Sequence, residues 1–338
     1  MWQGIKNKLF NWLRLNRHIS IKLYTGFAGD YHMNVYGHVL SMAPIERKKY
    51  GSSFVFNFLG LVRLFMVKPV GGIAVYLNWQ EVQYKTHTEK DGFFAFHISM
   101  ETEIPAGVYS AVASITGSKQ KEAKATADII VPQKTKFAFI SDIDDTFLIS
   151  HSGDLAKRLF VLFTENAHSR KPFDGAVMHY RQLNGLHNDN IADNAFFYVS
   201  SSEWNLYHYI NTFIEKNTLP KGVLLLNQIK TFSQLFATGQ NNHGGKFTRI
   251  VKILETYPQQ VFVLLGDDSQ KDIDIYTAIV KSFPKNIFCV YIRRVKTPEK
   301  PHVRELQKVI EQHGVNFLYF AHSEEAIIHS ETTGLVSD

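Results

Sequence analysis

The sequence predicts an α/β protein in which a parallel sheet covered by helices follows a small antiparallel β-sandwich and an N-terminal amphipathic helix. Three observations predict this order. From residue 137 onward, strand-like apolar runs alternate with helical patterns, as in parallel sheets. Residues 72–131 instead carry short strand-like runs separated by turn signals, as in sandwiches. The first residues place apolar side chains at helical spacing.

The first predicted element is a helix assigned to residues 1–22, and its amphipathic pattern extends over residues 1–17. One face of this helix carries Trp2, Ile5, Leu9, Trp12 and Leu13. Tryptophan and leucine flanked by Lys6 and Lys8 are typical of a helix that lies in a bilayer interface. A helix docked on its own protein explains the same spacing, so both interpretations stay open.

The net charge of +6 lies at the N-terminal end of the chain. Residues 1–50 contain eight basic and two acidic residues, which leaves 29 of each sign in the remainder. A basic end predicts an anionic partner. The apolar face favours a membrane surface over nucleic acid, since the remainder carries no net positive charge. We therefore expect no nucleic-acid binding.

The 338 residues exceed one typical domain, and two are expected. We assign residues 23–134 to the sandwich, whose segment 88–96 resembles transthyretin-like domains, and residues 135–338 to the α/β domain. A polar, proline-marked segment at 132–136 separates them. Residues 147–194 are too long for a simple crossover and are predicted to form a cap. The sandwich strands are predicted at 73–77, 82–86, 93–98, 108–115 and 125–130.

The single cysteine, Cys289, excludes an internal disulfide and fits a reducing compartment. The most apolar run, residues 53–67, is interrupted by Asn57 and Arg63 and is shorter than the roughly 20 residues of a spanning helix. We therefore predict a cytoplasmic protein at the periphery of a membrane, with no spanning segment.

A predicted buried strand at residues 137–141 ends in acid. Asp142, Asp144 and Thr146 follow it at alternate positions, so an extended backbone places their side chains on one face. Ligands of open α/β sheets bind at the carboxyl ends of the strands. One carboxylate can attack a reacting centre while the other moves protons. An acidic turn that merely ends the strand explains the same letters.

Three further signals follow in order. The strand at 195–200 ends in Ser200 and Ser201, where a hydroxyl can donate to a phosphoryl oxygen; an ordinary capping box from Ser200 to Glu203 is the alternative. Lys246 stands in the first turn of a helix, where a cation is unfavourable unless it serves an anion; Lys252 is the runner-up. The strand at 261–265 precedes further hard oxygen ligands suited to Mg²⁺, namely Asp267, Asp268 and Asp272.

Together these motifs resemble the haloacid dehalogenase-like phosphohydrolase superfamily. Within it, the chain is most similar to the actin-patch-associated phosphatidate phosphatase family and its bacterial relatives. The segments that carry the resemblance are 141–147, 197–207, 266–276 and 291–295. Phe147, Glu203 and Asp268 depart from the family's pattern. The resemblance covers residues 135 to about 335 and implies a Rossmann-like parallel sheet.

The resemblance implies a Mg²⁺-dependent phosphomonoesterase. Asp142 would be the nucleophile and Asp144 the general acid and base, while Ser200 and Lys246 would hold the phosphoryl group. Thr146 and Ser201 are candidates for substrate binding. The candidate ligands of Mg²⁺ are Asp142, Asp144, Asp267, Asp268 and Asp272.

The expected substrate is a lipid phosphate such as phosphatidate, which would yield diacylglycerol, and residues 1–17 would contact an anionic membrane. Two alternatives remain. The chain could act on a soluble phosphate ester or a phosphoprotein. It could also be a membrane-recruited adaptor whose phosphatase-like domain is silent, although the intact acids and Lys246 argue against this.

Overall fold

The computed structural model describes residues 15–16, 18–44, 63–117, 120–147, 172–185, 194–231, 243–295 and 298–336. These residues divide into two compact units. The first comprises the described residues up to 131 together with 203–206 and 228–231. The second comprises the described residues of 132–202, 207–227 and 243–336.

The first unit is built on one hydrogen-bonded sheet of ten strands. The strands are β1 (Leu15–Asn16), β2 (Ser20–Leu23), β3 (Gly26–Ala28), β4 (His32–Pro44), β5 (Lys68–Pro69), β6 (Ala74–Trp79), β7 (Val82–His87), β8 (Phe93–Ser99), β9 (Gly107–Gly117) and β10 (Gln120–Val131). The main path runs β1-β4-β3-β10-β9-β6-β7, and β2, β5 and β8 also pair with β4. The strand pairs among the described residues of this sheet are antiparallel apart from β10 with β3.

The core of this unit follows from strand alternation. In β6, Val75, Leu77 and Trp79 are buried while their neighbours are more exposed. The predicted turn before β8 is confirmed: Gly92 has a φ of +77°, and a Cβ there would lie 2.5 Å from the Val39 carbonyl oxygen. Only glycine fits that turn without strain.

All five predicted strands of this unit are confirmed as β6 to β10. The helix assigned to residues 1–22 needs correction at its end, since β1 and β2 are strands. Backbone hydrogen bonds to β4 hold these residues extended. The amphipathic segment up to residue 14 lies outside the described residues. The sandwich arrangement stays a prediction.

The second unit contains a six-stranded sheet in the order β13-β12-β11-β14-β15-β16. Its strands are β11 (Phe137–Ser141), β12 (Phe196–Glu203), β13 (Gly222–Asn227), β14 (Val261–Asp267), β15 (Ile287–Arg293) and β16 (Asn316–Phe320). The pairs from β12 through β16 are parallel. The described helices are α1 (Ala176–Asn184), α2 (Tyr207–Lys216), α3 (His243–Thr256), α4 (Asp272–Ser282), α5 (Pro301–Gln312) and α6 (Ser323–Thr332).

Continuous apolar runs form the strands of this sheet, as predicted. All five residues of β11 are buried, which suits a strand covered on both faces. Cys289 is buried in β15, and burial raises the pKa of its thiol. The α/β class with one parallel and one largely antiparallel sheet is therefore confirmed.

The predicted cap is only partly described. Helix α1 lies within residues 147–194, whereas the helical stretch predicted at 155–165 lies outside the described residues. The described residues also include two short 3-10 helices, at Trp204–Leu206 and Pro284–Asn286. Among the described helices, none has both the length and the apolarity to cross a bilayer.

Candidate active site

The carboxyl ends of β11, β12 and β14 meet at one edge of the parallel sheet. Ser141 pairs with Tyr198 of β12 on one side and with Leu265 of β14 on the other. The Asp142 amide donates to the Leu265 carbonyl oxygen at 2.8 Å. This register brings Asp142 beside the residues that end β12 and β14, as the sequence predicted.

Three buried carboxylates form what we call the acid cluster: Asp142, Asp267 and Asp272. One carboxylate oxygen from each lies within 4.8 Å of the others. Asp272 begins α4, and its Oδ2 accepts from the Asp267 amide at 3.4 Å. Gly266 permits this approach, because a Cβ at that position would lie 2.7 Å from Asp272 Oδ2.

Lys246 is the cation of the cluster. Its Nζ lies 3.0 Å from Asp142 Oδ1 and 2.5 Å from Asp272 Oδ1. Burial alone would lower the pKa of Lys246, but the attraction of Asp142 and Asp272 outweighs burial and raises it. Lys252, the alternative, is a third exposed and pairs with Glu255 at 3.6 Å. The geometry therefore selects Lys246.

The ionised forms of Asp142 and Asp267 are disfavoured in the acid cluster. Burial and then the neighbouring Asp272 raise the pKa of Asp142, although Lys246 opposes this. The same two causes raise the pKa of Asp267 to about 7. Asp142 Oδ2 has no hydrogen-bond partner among the described residues. Three carboxylates thus face a single ammonium group, and Asp142 Oδ2 is available as a ligand. This arrangement fits a divalent cation that takes hard oxygen ligands, such as Mg²⁺.

Asp144 lies outside the acid cluster and is held by serines. Its Oδ2 accepts from Ser202 Oγ at 2.5 Å and from Ser200 Oγ at 3.3 Å. Ser200 Oγ also accepts from the Ser202 amide at 2.9 Å. The capping-box alternative for Ser200 and Glu203 is wrong, because both residues belong to β12 and α2 begins only at Tyr207.

Thr146 joins the loop after β11 to the acid cluster. Its Oγ1 donates to Asp267 Oδ2 at 3.2 Å. Between Asp144 and Thr146, Asp145 has a φ of 61°, a left-handed conformation that turns the chain. Ser201 is half-buried, and strand alternation places it opposite Ser200. Substrate binding by Thr146 and Ser201 stays a prediction.

Asp268 is held away from the acid cluster. Its Oδ1 accepts from the Val295 amide at 2.9 Å, and its Oδ2 accepts from the Tyr319 hydroxyl at 2.7 Å. Its own amide donates to the Arg293 carbonyl oxygen at 3.0 Å. Of the five candidate ligands, the structure thus brings Asp142, Asp267 and Asp272 together and leaves Asp144 and Asp268 outside that group.

Two residues of the site, Ser202 and Arg293, were not predicted from the sequence. Ser202 could have been found by its spacing, since it shares a face of β12 with Ser200. Arg293 gave no such signal. This buried side chain donates from Nε to the Thr146 carbonyl oxygen at 2.7 Å and from Nη2 to Ser323 Oγ at 2.9 Å. Burial lowers the pKa of Arg293 to about 10, so it stays charged at neutral pH.

Comparison with known proteins identifies the segment that carries this site. Residues 137–294 match the family model described as phosphatidate phosphatase APP1, catalytic domain. The chain is also 31% identical over 156 residues to phosphatidate phosphatase APP1 of Saccharomyces cerevisiae. That match covers 46% of this chain and only 25% of the yeast protein.

Solved structures show only slight likeness. A carbohydrate acetylesterase from Xanthomonas citri gives a TM-score of 0.35 at 9% identity, covering 89% of this chain and 68% of that one. The PilB minor pilin from Streptococcus sanguinis gives 0.30 at 10% identity, covering 98% and 94%. Neither agreement is close enough to bear on fold or function.

The site and the family match coincide in sequence. Asp142, Asp144, Ser200, Lys246 and Asp267 all lie within the matched residues. Over residues 137–294, which carry the candidate site, the chain is similar to the catalytic domain of phosphatidate phosphatase APP1.

Proposed function

We propose that this chain is a Mg²⁺-dependent phosphomonoesterase that forms an aspartyl-phosphate intermediate and acts on phosphatidate. One observation carries the proposal: the acid cluster and Lys246 meet at the carboxyl edge of the parallel sheet, within the segment that matches a phosphatidate phosphatase catalytic domain. The acidic ends of β11 and β14 also support assigning this unit to the Rossmann-like haloacid dehalogenase type. A transthyretin-like sandwich remains our assignment for the first unit.

Asp142 is the nucleophile in this proposal. It directly follows the central strand β11, and its Oδ2 accepts no hydrogen bond from the described residues. A carboxylate oxygen attacks phosphorus and forms an acyl phosphate as the bond between phosphorus and the ester oxygen breaks. This divides one difficult displacement into two easier steps.

Asp144 is the general acid and base. It donates its proton to the departing alkoxide, which leaves as an alcohol such as diacylglycerol. In the second step Asp144 takes a proton from water as the water oxygen attacks phosphorus, and Asp142 is released together with phosphate. The two steps return both carboxyl groups to their starting protonation states.

The remaining groups stabilise charge. Ser200 and Lys246 hold the phosphoryl oxygens. Asp142 and Asp267 would hold Mg²⁺, with Asp272 shared between the metal and Lys246. Mg²⁺ in this position supplies charge neutralisation between the nucleophile and the phosphate.

We also propose that the protein works in the cytoplasm at an anionic membrane surface, with residues 1–14 as an interfacial anchor. The Trp-containing apolar face and the basic first fifty residues support this. Deletion of residues 1–14, which spares β1, should lower activity on phosphatidate in vesicles far more than on a soluble ester. If the truncated protein still co-sediments with anionic vesicles like the intact chain, the anchor is excluded.

Release of phosphate tests the function. The full chain, given phosphatidate in vesicles and Mg²⁺, should release phosphate, excess chelator should stop it, and added Mg²⁺ should restore it. Activity confined to soluble esters or phosphoproteins would support the phosphatase mechanism but exclude phosphatidate as the substrate. No hydrolysis of any phosphate ester would favour the silent adaptor.

A further inference from the structure

Two serine hydroxyls converge on one oxygen of Asp144. Ser200 and Ser202 share a face of β12 because they are two residues apart. Both side chains are buried, at 0% and 3% exposure. Both donate to Asp144 Oδ2. The proposed mechanism uses Ser200 for the phosphoryl group and gives Ser202 no task.

The distances separate the two hydroxyls. Ser202 Oγ lies 2.5 Å from Asp144 Oδ2, the length of a strong bond from a hydroxyl to a carboxylate. Ser200 Oγ lies 3.3 Å away, beyond the usual range for two oxygens. Ser202 therefore holds the carboxyl group, and Ser200 adds little.

A hydroxyl has a single proton to donate. Ser200 cannot donate to Asp144 and to a phosphoryl oxygen at the same time. If Ser200 alone held Asp144, substrate binding would release the acid from its only serine. Ser202 removes this conflict, because its bond to Asp144 does not depend on where Ser200 donates.

Resting on the proposed function, we propose that Ser202 is a positioning residue that holds the acid and base Asp144 while Ser200 is free to turn to the phosphoryl group. The backbone supports this division of tasks. The Ser202 amide donates to Ser200 Oγ at 2.9 Å, so Ser200 keeps one fixed partner while its hydroxyl proton changes acceptor.

The same contact fixes the orientation of Asp144, because Oδ2 accepts hydrogen bonds from both serine hydroxyls. Well-placed general acids contribute about 10²–10⁴-fold to a rate. Loss of the Ser202 hydroxyl should lower the rate by on the order of 10–100-fold, because the carboxyl group of Asp144 can then rotate.

Ser202→Ala in the full chain tests this role through the leaving group. We expect kcat/KM for an alkyl phosphate to fall by roughly 10–100-fold. The fall for p-nitrophenyl phosphate should be much smaller, because its phenolate leaves with little help from a proton.

Controls separate positioning from folding. Thr277→Ala deletes another buried hydroxyl, which donates to the Ile273 carbonyl oxygen at 2.7 Å. This variant should leave kcat/KM for both substrates unchanged. If Ser202→Ala does not fold, Ser202→Thr and Ser202→Val form a nearly isosteric pair that differs in the hydroxyl. The threonine variant should keep the wild-type ratio between the two substrates, and the valine variant should lose it.

A double-mutant cycle completes the test. With Asp144→Asn already present, Ser202→Ala should cause no further loss, because it acts through Asp144. An equal fall on both esters, additive losses in the cycle, or an unchanged Ser202→Ala enzyme would each overturn the positioning role. Those results require an active wild type. A wild type that hydrolyses no ester would instead remove the proposed function.

Discussion

The ends of β11 and β14 carry similar acids with different surroundings. Asp142 directly follows β11 and Asp267 is the last residue of β14, and both belong to the acid cluster. Each also has a second carboxylate nearby that stays outside the cluster. At the β11 end, Asp144 is held by the hydroxyls of Ser200 and Ser202. At the β14 end, Asp268 is held by the Val295 amide and the Tyr319 hydroxyl.

This difference shows how neighbours assign tasks to identical side chains. The partners of Asp144 are serine hydroxyls, which can rotate toward another acceptor. Asp268 binds a backbone amide, which cannot rotate, and the hydroxyl of Tyr319 on β16, two strands away in the sheet. The second acid at β11 is thus placed for proton transfer, while the second acid at β14 fixes a loop. Four experiments test these assignments.

Asp142→Asn should have the largest effect. An amide of nearly the same shape is a poor nucleophile, so turnover should fall by about 10³-fold or more. The fold should persist in chelator, because a raised carboxyl pKa means that the charge of Asp142 opposes folding. Phosphate release and thermal unfolding measure the two effects. Wild-type turnover in this variant would remove Asp142 as the nucleophile.

Asp267→Asn and Asp268→Asn form a matched pair at the β14 end. Changes outside the ligand shell typically cost 10–100-fold in metal affinity, so loss of a ligand at Asp267 should raise the Mg²⁺ requirement by ~100-fold or more. Asp268→Asn should leave that requirement within about threefold of wild type while lowering the free energy of unfolding by ~1–3 kcal/mol. Titration of activity with Mg²⁺ and urea unfolding check both. An equal rise of the Mg²⁺ requirement in the two variants would contradict the different roles proposed for Asp267 and Asp268.

Arg293→Met probes the link between the two ends. The side chain of Arg293 donates to Thr146 in the β11 loop, and its carbonyl oxygen accepts from Asp268. The substitution leaves the buried Thr146 carbonyl oxygen without this donor, so the free energy of unfolding should fall by ~1–3 kcal/mol. Turnover should fall with it, because the loop carries Asp144. Arg294→Met, which removes a partly exposed partner of Glu299, is the control and should have little effect on either quantity.

His179 tests the cost of burying a titratable group away from the acid cluster. Burial, aided by Arg293, lowers the pKa of His179 to about 3. Between the ordinary value near 6.5 and this value, the unfolded chain binds a proton that the folded chain does not. His179 therefore contributes stability above about pH 6.5 that is lost as the pH falls toward 3, by at most ~1.4 kcal/mol per pH unit.

The control for this effect is His179→Gln, which removes the titration. Unfolding curves of the two proteins between pH 7 and 4 should show the wild type losing stability faster than the variant. Parallel curves would mean that the histidine accepts its proton without penalty.

The sequence predicted the sheet of the second unit because buried parallel strands are continuous apolar runs, as in β11 and β14. It also predicted Asp142 and Lys246, which stand directly at element ends. Strand β4 was missed because its buried residues include polar side chains, namely Asn34 and His38. The roles of Asp268 and Arg293 depend on partners 51 and 147 residues away in sequence, which no local pattern reveals.

The central position of β11 also affects synthesis of the protein. This strand pairs with β12 and β14, which are made well after it. Chains fold from the N-terminal side as they leave the ribosome. Until residues 261–267 emerge, an apolar edge of β11 has no partner, and unpaired strand edges promote aggregation. We therefore expect the nascent chain to be most prone to aggregation in the interval between synthesis of β11 and of β14, before its acidic edge can assemble.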